Sequence, residues 1–430
     1  MSIPVSAAEQ PSRKRQAGIG FIMIVVLIDM ISIGLIIPVL PKFVGSFTTD
    51  PAAQAWWYGA VTFSFGIANF IGSPILGALS DRFGRRPVLL LGFCGLGLNF
   101  FATAMATSLY MLIGVRLIGG AMQANAAVAN AYVADITPPE LRAKRFGMLG
   151  AMFGMGFILG PVMGGILGHI SIRLPFYVAG SLAVLNWLYG FFVLPESLAK
   201  ENRKPVVWRS ANPVSSLRRL AALKGVGSLV AVIALASVAQ FTLQTSWVLY
   251  TTFRFGWGPA ENGWSLCAVG VMSVIVQGGL LRHFLRWFGT RRFVVTSLAS
   301  GAVAYFLWGW ATQPWMMYAI IACNVLAFGA SAAIQSLISN SADAHNQGQT
   351  MGAVSSLNSL AAVLAPVLSA PLLATVSHLP PHDWRVGTPM YFCAALQAVA
   401  AFMALRYLQT HQARQNAEAS PLTVSDTAEH

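Results

Sequence analysis

Charged side chains are scarce in this sequence. Asp, Glu, Lys and Arg make up 10% of its 430 residues, against about 25% in an ordinary soluble domain. Acidic residues are the rarest of them, 14 against 27 Lys and Arg. With 56% hydrophobic residues and a mean hydropathy of +0.64, the chain has too little polar surface to cover a fold of this size in water. The same composition excludes a disordered or collagen-like chain. Cysteine is also sparse. Cys94, Cys267, Cys323 and Cys393 fall inside apolar runs with no Cys-x-x-Cys spacing, which reads as reduced thiols acting as small apolar residues, with no metal site. P-loop, nucleophile-elbow and zinc signatures are missing, and Gly154-x-Gly156 with Gly160 is spaced wrongly for a dinucleotide fingerprint. No enzyme and no cofactor are therefore expected.

What the chain has instead is long apolar runs. A bilayer core of about 30 Å at a rise of about 1.5 Å per residue needs roughly 20 residues per helix. Twelve such runs occur, at 18–40, 57–79, 87–106, 109–133, 146–170, 175–194, 226–250, 263–281, 293–311, 315–338, 351–376 and 388–408. The first is not a cleaved signal peptide: it is too long for an h-region, it contains Asp29 and Pro38, and Ala53-Gln54-Ala55 lies well past its end.

The net charge of +13 would suggest a nucleic-acid partner in a soluble protein. Its distribution argues otherwise. With the amino terminus in the cytoplasm, 22 of the 27 basic residues fall on the cytoplasmic side, four on the opposite side (Lys42, Arg173, Arg254 and Arg385), and Arg116 lies within a span. This is the positive-inside pattern, so both termini are expected in the cytoplasm and nucleic acid is not an expected partner.

The segment 195–225 is polar and divides the chain into six spans and six spans, giving a cytoplasmic tail (1–17), a first bundle (18–194), a linker (195–225), a second bundle (226–408) and a C-terminal tail (409–430) expected to be disordered. The loop after span two ends in Phe83-Gly84-Arg85-Arg86 and the loop after span eight in Phe288-Gly289-Thr290-Arg291-Arg292. This repetition points to a duplicated six-helix unit, degraded in the second copy, where Arg286 replaces Asp81.

Only one acidic residue lies deep in a span. A carboxylate at the position of Asp29 costs on the order of 3 kcal/mol to insert and needs a partner or a wet cavity. Burial favours the neutral acid, so a proton can load and leave there. The other reading is a structural Asp hydrogen-bonded to neighbouring helices. Arg116, the only basic residue well inside a span, is expected to pair with Asp29, a backbone carbonyl or water. A set of amides stands out inside the fourth span and the second half: Gln123, Asn125, Gln240, Gln244, Gln277, Asn324 and Gln335. They are candidates for contacting a substrate, or for gluing helices together.

Two glycine motifs remain. The loop Gly77-Ala-Leu-Ser-Asp81-Arg82-Phe-Gly84-Arg85-Arg86 places a glycine for close helix approach (Gly77), a turn glycine (Gly84) and an aspartate able to cap a helix N-terminus (Asp81). This string resembles the cytoplasmic loop signature of the major facilitator superfamily, where it latches the outward-facing state. Span five contains Gly156-x-x-x-Gly160-Pro161-x-x-Gly164-Gly165, a smooth face for helix packing, and it is similar to the antiporter signature of drug/proton exporters in that superfamily. The first span, with Asp29, Gly34, Pro38 and Pro41, is similar to that of twelve-helix exporters of the tetracycline-resistance group. Ser273 and Gly301 stand where tetracycline/proton antiporters carry a His and an Asp.

The resemblance implies an all-α membrane protein of 12 helices in two pseudo-symmetric six-helix bundles. Its implied function is a monomeric antiporter in a bacterial inner membrane that exports an amphipathic small molecule by alternating access, driven by the proton gradient. A symporter importing a sugar is the alternative, because Pro195-Glu196-Ser197 resembles a sugar-porter element.

Overall fold

The computed structural model describes residues 13–123, 125–203, 205, 227–341 and 347–419. Most of the N-terminal tail (1–12), most of the linker (206–226) and the last part of the C-terminal tail (420–430) lie outside the described residues. Every regular element is helical, and among the described residues there is no strand. That is what lipid demands of a chain with unbroken apolar runs, because a helix satisfies its backbone groups within itself.

In chain order the helices are α1 (Arg13–Ile36), α2 (Leu40–Gly45), α3 (Pro51–Phe83), α4 (Arg85–Ala104), α5 (Leu109–Met122), α6 (Asn125–Ile136), α7 (Arg142–Ile170), α8 (Leu174–Val193), α9 (Gly227–Phe255), α10 (Pro259–Ile275), α11 (Leu281–Phe288), α12 (Thr290–Trp310), α13 (Pro314–Cys323), α14 (Ala330–Ser341), α15 (Gln347–Val376) and α16 (Thr388–Ala419). Among the described residues eleven spans are long and apolar enough to cross a membrane, and the bent pair α13–α14, counted as one span, makes a twelfth. The protein is a multi-pass membrane protein.

Three expected spans are interrupted. Span one ends α1 at Ile36 and resumes as α2, because Pro38 and Pro41 cannot donate to a continuing helix. Span four breaks between α5 and α6 at Gln123, whose backbone (φ −91°, ψ 72°) is not helical. Span ten bends by 58° between α13 and the chain leading into α14, with Asn324 at the turn. Span eight passes through one π-turn, Val276–Leu280, which contains Gly278 and Gly279. The C-terminal tail differs from expectation in the opposite sense. Helix α16 continues through Gln409 to Ala419, a stretch of Gln, Ala, Arg and Glu whose helix propensity substitutes for missing apolar periodicity.

The helices form two compact units. Unit 1 comprises residues 1–49, 60–212 and 258–270, and unit 2 comprises 50–59, 213–257 and 271–430. Unit 1 has a core of Ile22, Val25, Val26, Phe93, Val128, Tyr132 and Val133. The core of unit 2 includes Leu229, Val232, Phe293, Leu298, Ala333 and Ala400.

In unit 1, α1 packs closely on α7 through the span-five glycines. A Cβ on Gly160 would lie 2.6 Å from the Gly34 Cα, and one on Gly164 would collide with the Leu35 carbonyl. Gly156 faces Met30 in the same way. Dispersion between backbones at this separation replaces the hydrophobic drive that lipid does not provide. Gly165 faces elsewhere, against Pro259 and Gly263 at the start of α10.

Candidate functional site

Asp29 sits on α1 and is 3% exposed. The Asn125 Nδ2 donates a hydrogen bond to its Oδ1 at 3.0 Å. Asn125 opens α6, immediately after the interruption of span four, so the break is what turns this amide toward the acid. Asn125 is itself 5% exposed, and its Oδ1 crowds the Cα of Gly92 on α4, where a Cβ could not fit. Two of the sequence-derived candidates, assigned to different roles, thus form one pair. A carboxylate at membrane depth with one amide donor is partly compensated, and the neutral acid suits the surrounding apolar core.

Arg116, also 3% exposed, lies on α5 with its guanidinium 5.7 Å from the centroid of the Phe65 ring on α3. Gly119, one turn on, packs on the Asn99 amide, and Gly120 on the Phe65 carbonyl. The planar cation over an aromatic face is a low-polarity way to hold a charge that cannot reach water.

The remaining amides are dispersed. Gln123, at the end of α5, has its Oε1 buried without a hydrogen bond among the described residues. In unit 2, Gln240 accepts from the Tyr305 hydroxyl at 2.8 Å, Asn324 accepts from Ser300 at 3.1 Å, and Gln277 donates to Ser273 at 2.7 Å. Gln244 and Gln335 are exposed on α9 and α14. Tyr305 stacks on Trp308, which meets Trp247 edge to face. Sequence inspection missed Tyr305 because a tyrosine within an apolar run carries no pattern of its own.

The loop motif is assembled around Arg85. Its guanidinium contacts Asp81 at 2.7 Å, Asp135 at 3.0 Å and the Ser80 hydroxyl at 2.6 Å. Asp135 also accepts from Ser197, and Arg82 lies over the Phe83 ring. Two expectations for this loop are corrected. Asp81 does not cap a helix but pairs at 2.7 Å with Arg85, which the Gly84 turn between α3 and α4 brings back beside it. The capping group is Glu196, which accepts from the backbone N–H of Arg85 (2.9 Å) and Arg86 (3.3 Å) at the start of α4, and from Ser197 and Leu198 in its own turn. Gly77 is the second correction: nothing lies within 4 Å of where its Cβ would be, so close helix approach does not explain it. Gly84 does require glycine, with φ at 109° and the Glu196 carboxylate where a Cβ would point. Glu196 was visible only as part of Pro195-Glu196-Ser197, and its target lies more than a hundred residues earlier.

Among the described residues no cluster of His, Cys, Asp or Glu could hold a metal ion.

A family model described as "Major Facilitator Superfamily" matches residues 22–366 and 285–424. The chain is 35% identical over 367 residues to the tetracycline resistance protein, class C, of Escherichia coli, covering 85% of this chain and 92% of that protein. It is 34% identical to the class D protein of Salmonella ordonez, over 86% of this chain and 93% of that one. Among solved structures, that of the nucleoside transporter NupG superposes with a TM-score of 0.74 at 13% identity, covering 92% of this chain and 99% of that chain. At that identity the likeness speaks for the fold alone.

Proposed function

The chain belongs to the Major Facilitator Superfamily of membrane transporters, and from that membership we propose that it is a proton-coupled antiporter exporting an amphipathic small molecule. The observation that carries the proton coupling is the buried Asp29–Asn125 pair. Export is supported by relatives named for tetracycline resistance at 30 to 35% identity. The span-five glycine face, packed on the helix that bears Asp29, is in keeping with it.

In the proposed cycle, a proton from outside neutralises Asp29 while Asn125 keeps the acid oriented. The neutral acid no longer needs a compensating environment, so the inward and outward arrangements of its helix change in relative free energy. Cargo leaves on the outer side. Release of the proton inward, favoured by the positive field of Arg116 elsewhere in unit 1, restores the carboxylate. The protein acts as a monomer in the cytoplasmic membrane of a bacterium, with both termini inside, as the distribution of its basic residues supports.

Tetracycline is one candidate cargo, tested alongside others because Ser273 and Gly301 remove two ionisable groups from the proton route of the tetracycline exporters. A drug-sensitive bacterial host expressing the protein, challenged with a panel of amphipathic antibiotics including tetracyclines, identifies the cargo by raised growth-inhibitory concentrations. Everted vesicles from that host are expected to accumulate the same compound on energisation and to release it when a protonophore collapses the gradient. Accumulation that survives the protonophore would overturn proton coupling.

A further inference from the structure

Two carboxamides in unit 1 lack hydrogen bonds that each could give the other. Asn99 on α4 is 4% exposed, and among the described residues it is the one carboxamide whose nitrogen and oxygen are both buried without a partner. Its amide lies against Gly119 of α5, in the place where a Cβ would stand. Gln123, four residues further along the same span, has its Oε1 buried without a partner as well. Buried amides left in this way are costly, so an arrangement that pairs the two competes with the one described.

The break in span four is what keeps them apart. Gln123 has ψ at 72°, where a continuing helix needs about −42°. In a continuous helix residue 123 stands one turn after residue 119 on the same face, and its side chain leans back toward the helix start, over Gly119. There its carboxamide meets that of Asn99. The Asn99 Nδ2 then donates to the Gln123 Oε1, and the Gln123 Nε2 to the Asn99 Oδ1. Glycines keep the facing surface of α4 clear on either side of the break, with Gly95 against Met122 and Gly92 against Asn125.

Asn125 lies two residues beyond the break, so continuing the helix through Gln123 redirects its amide and withdraws it from Asp29. We propose that Asn99 and Gln123 are positioning residues that set the hydrogen bond on Asp29. With Asp29 charged, span four breaks and Asn125 bonds the carboxylate. With Asp29 neutral, span four continues and Gln123 bonds Asn99. The sign follows from hydrogen-bond strength: a bond to a carboxylate is about twice as strong as one between neutral groups, so loading a proton removes the advantage of the broken form. The titratable side chains of the helices packed on α1 are engaged or stand elsewhere. On α6 and α8, Tyr132 bonds the Pro195 carbonyl, Asp135 pairs with Arg85 and Tyr189 meets Phe21, while Arg142, Lys144, Arg145 and His169 stand at the ends of α7. The inference rests on Asp29 as the proton-loading acid of the proposed function, whereas the change in span four can be read without transport.

Hydrogen–deuterium exchange of the full-length protein in neutral detergent reads that change. The N–H groups that open α6 have no intrahelical partner while the span is broken and gain one when it continues. Asp29→Asn, standing for the neutral acid, is expected to slow exchange over 125–128 about tenfold relative to the unaltered chain at the same pH. Adding Asn99→Leu or Gln123→Leu to Asp29→Asn is expected to restore the faster exchange. Equal exchange with and without Asp29→Asn, or slowing that persists once Asn99 is replaced, would overturn the proposal. Should Asp29→Asn fail to fold, the unaltered chain at two pH values decides, after correction for intrinsic exchange: slower exchange at the lower pH supports the switch, and no change contradicts it. In export assays Asn99→Leu and Gln123→Leu are each expected to lower kcat about tenfold at unchanged KM, the double variant no further, and the exchanged pair N99Q/Q123N to recover most of the rate. An Asn99→Leu variant that exports at the full rate with a higher Tm would mark a merely structural amide and contradict the assignment. Protonophore-insensitive export with the exchange response intact would overturn proton coupling and leave the switch standing. Proton-coupled export without that response would do the reverse.

Discussion

Asp29 and Asn125 meet at 3.0 Å across two helices and are 96 positions apart in sequence. Asn125→Ala leaves a buried acid without its donor. Because that donor stabilises the carboxylate, its loss is expected to slow proton release and lower the export rate about tenfold, with cargo binding retained. An export assay at fixed proton gradient, paired with cargo binding to detergent-solubilised protein, separates the two. Gly84→Ala places a side chain in a backbone region open only to glycine and drives its Cβ against Glu196, and is expected to cost about 1–3 kcal/mol, seen as a lower Tm of the purified protein. In the loop before α16, hydrogen bonds from Arg385 hold the Asp383 carboxyl below the usual carboxylate range. A lowered value means that this contribution to stability is present above the ordinary carboxylate pKa, about 3.9, and fades as pH falls through the lowered one. Asp383→Asn is therefore expected to flatten the acid limb of a Tm-against-pH curve, since the asparagine has no charge to lose. Asp29 and Arg116 were legible in the sequence because they are lone charges within spans. The Asn125 partnership was not, since nothing in the order of residues shows which way an amide turns.

At the scale of elements, apolar run length located all twelve spans, because lipid leaves the chain few alternatives to the helix. It could not locate the interruptions at Gln123 and Asn324. Both lie within unbroken apolar composition, and a helix breaks there only when neighbouring helices satisfy what the break exposes. The span-five motif was legible as a packing face, and the structure divides it. Gly156, Gly160 and Gly164 receive α1, while Gly165 receives the start of α10. Gly160→Val is accordingly expected to force α1 and α7 apart, misplacing Asp29 and abolishing export together with a drop in Tm. Gly114→Ala, at a position with open space around it, is expected to leave both unchanged. Glu196 shows the limit of motif reading: its capping of α4 joins the end of the first bundle to the loop after span two, a contact no local pattern encodes.

At the scale of the molecule, scarcity of charge is the organising fact. In the proposed topology most basic residues fall on the cytoplasmic side. Two of the few assigned to the opposite side in that topology are tied to backbone carbonyls, Arg173 to Ala104 and Ala106, and Arg254 to Ala311, Pro381 and Asp383. Among the described residues Asp29 is the one buried carboxylate, and the proposed proton coupling rests on it. The most direct test is made with purified protein in liposomes carrying a lumenal pH indicator and loaded with the identified cargo, comparing the unaltered chain with Asp29→Asn. The account predicts that cargo efflux and an opposed proton flux appear together in the unaltered protein. Both should be lost in the variant, which remains folded and inserted. Proton-coupled efflux at the full rate in Asp29→Asn would contradict it.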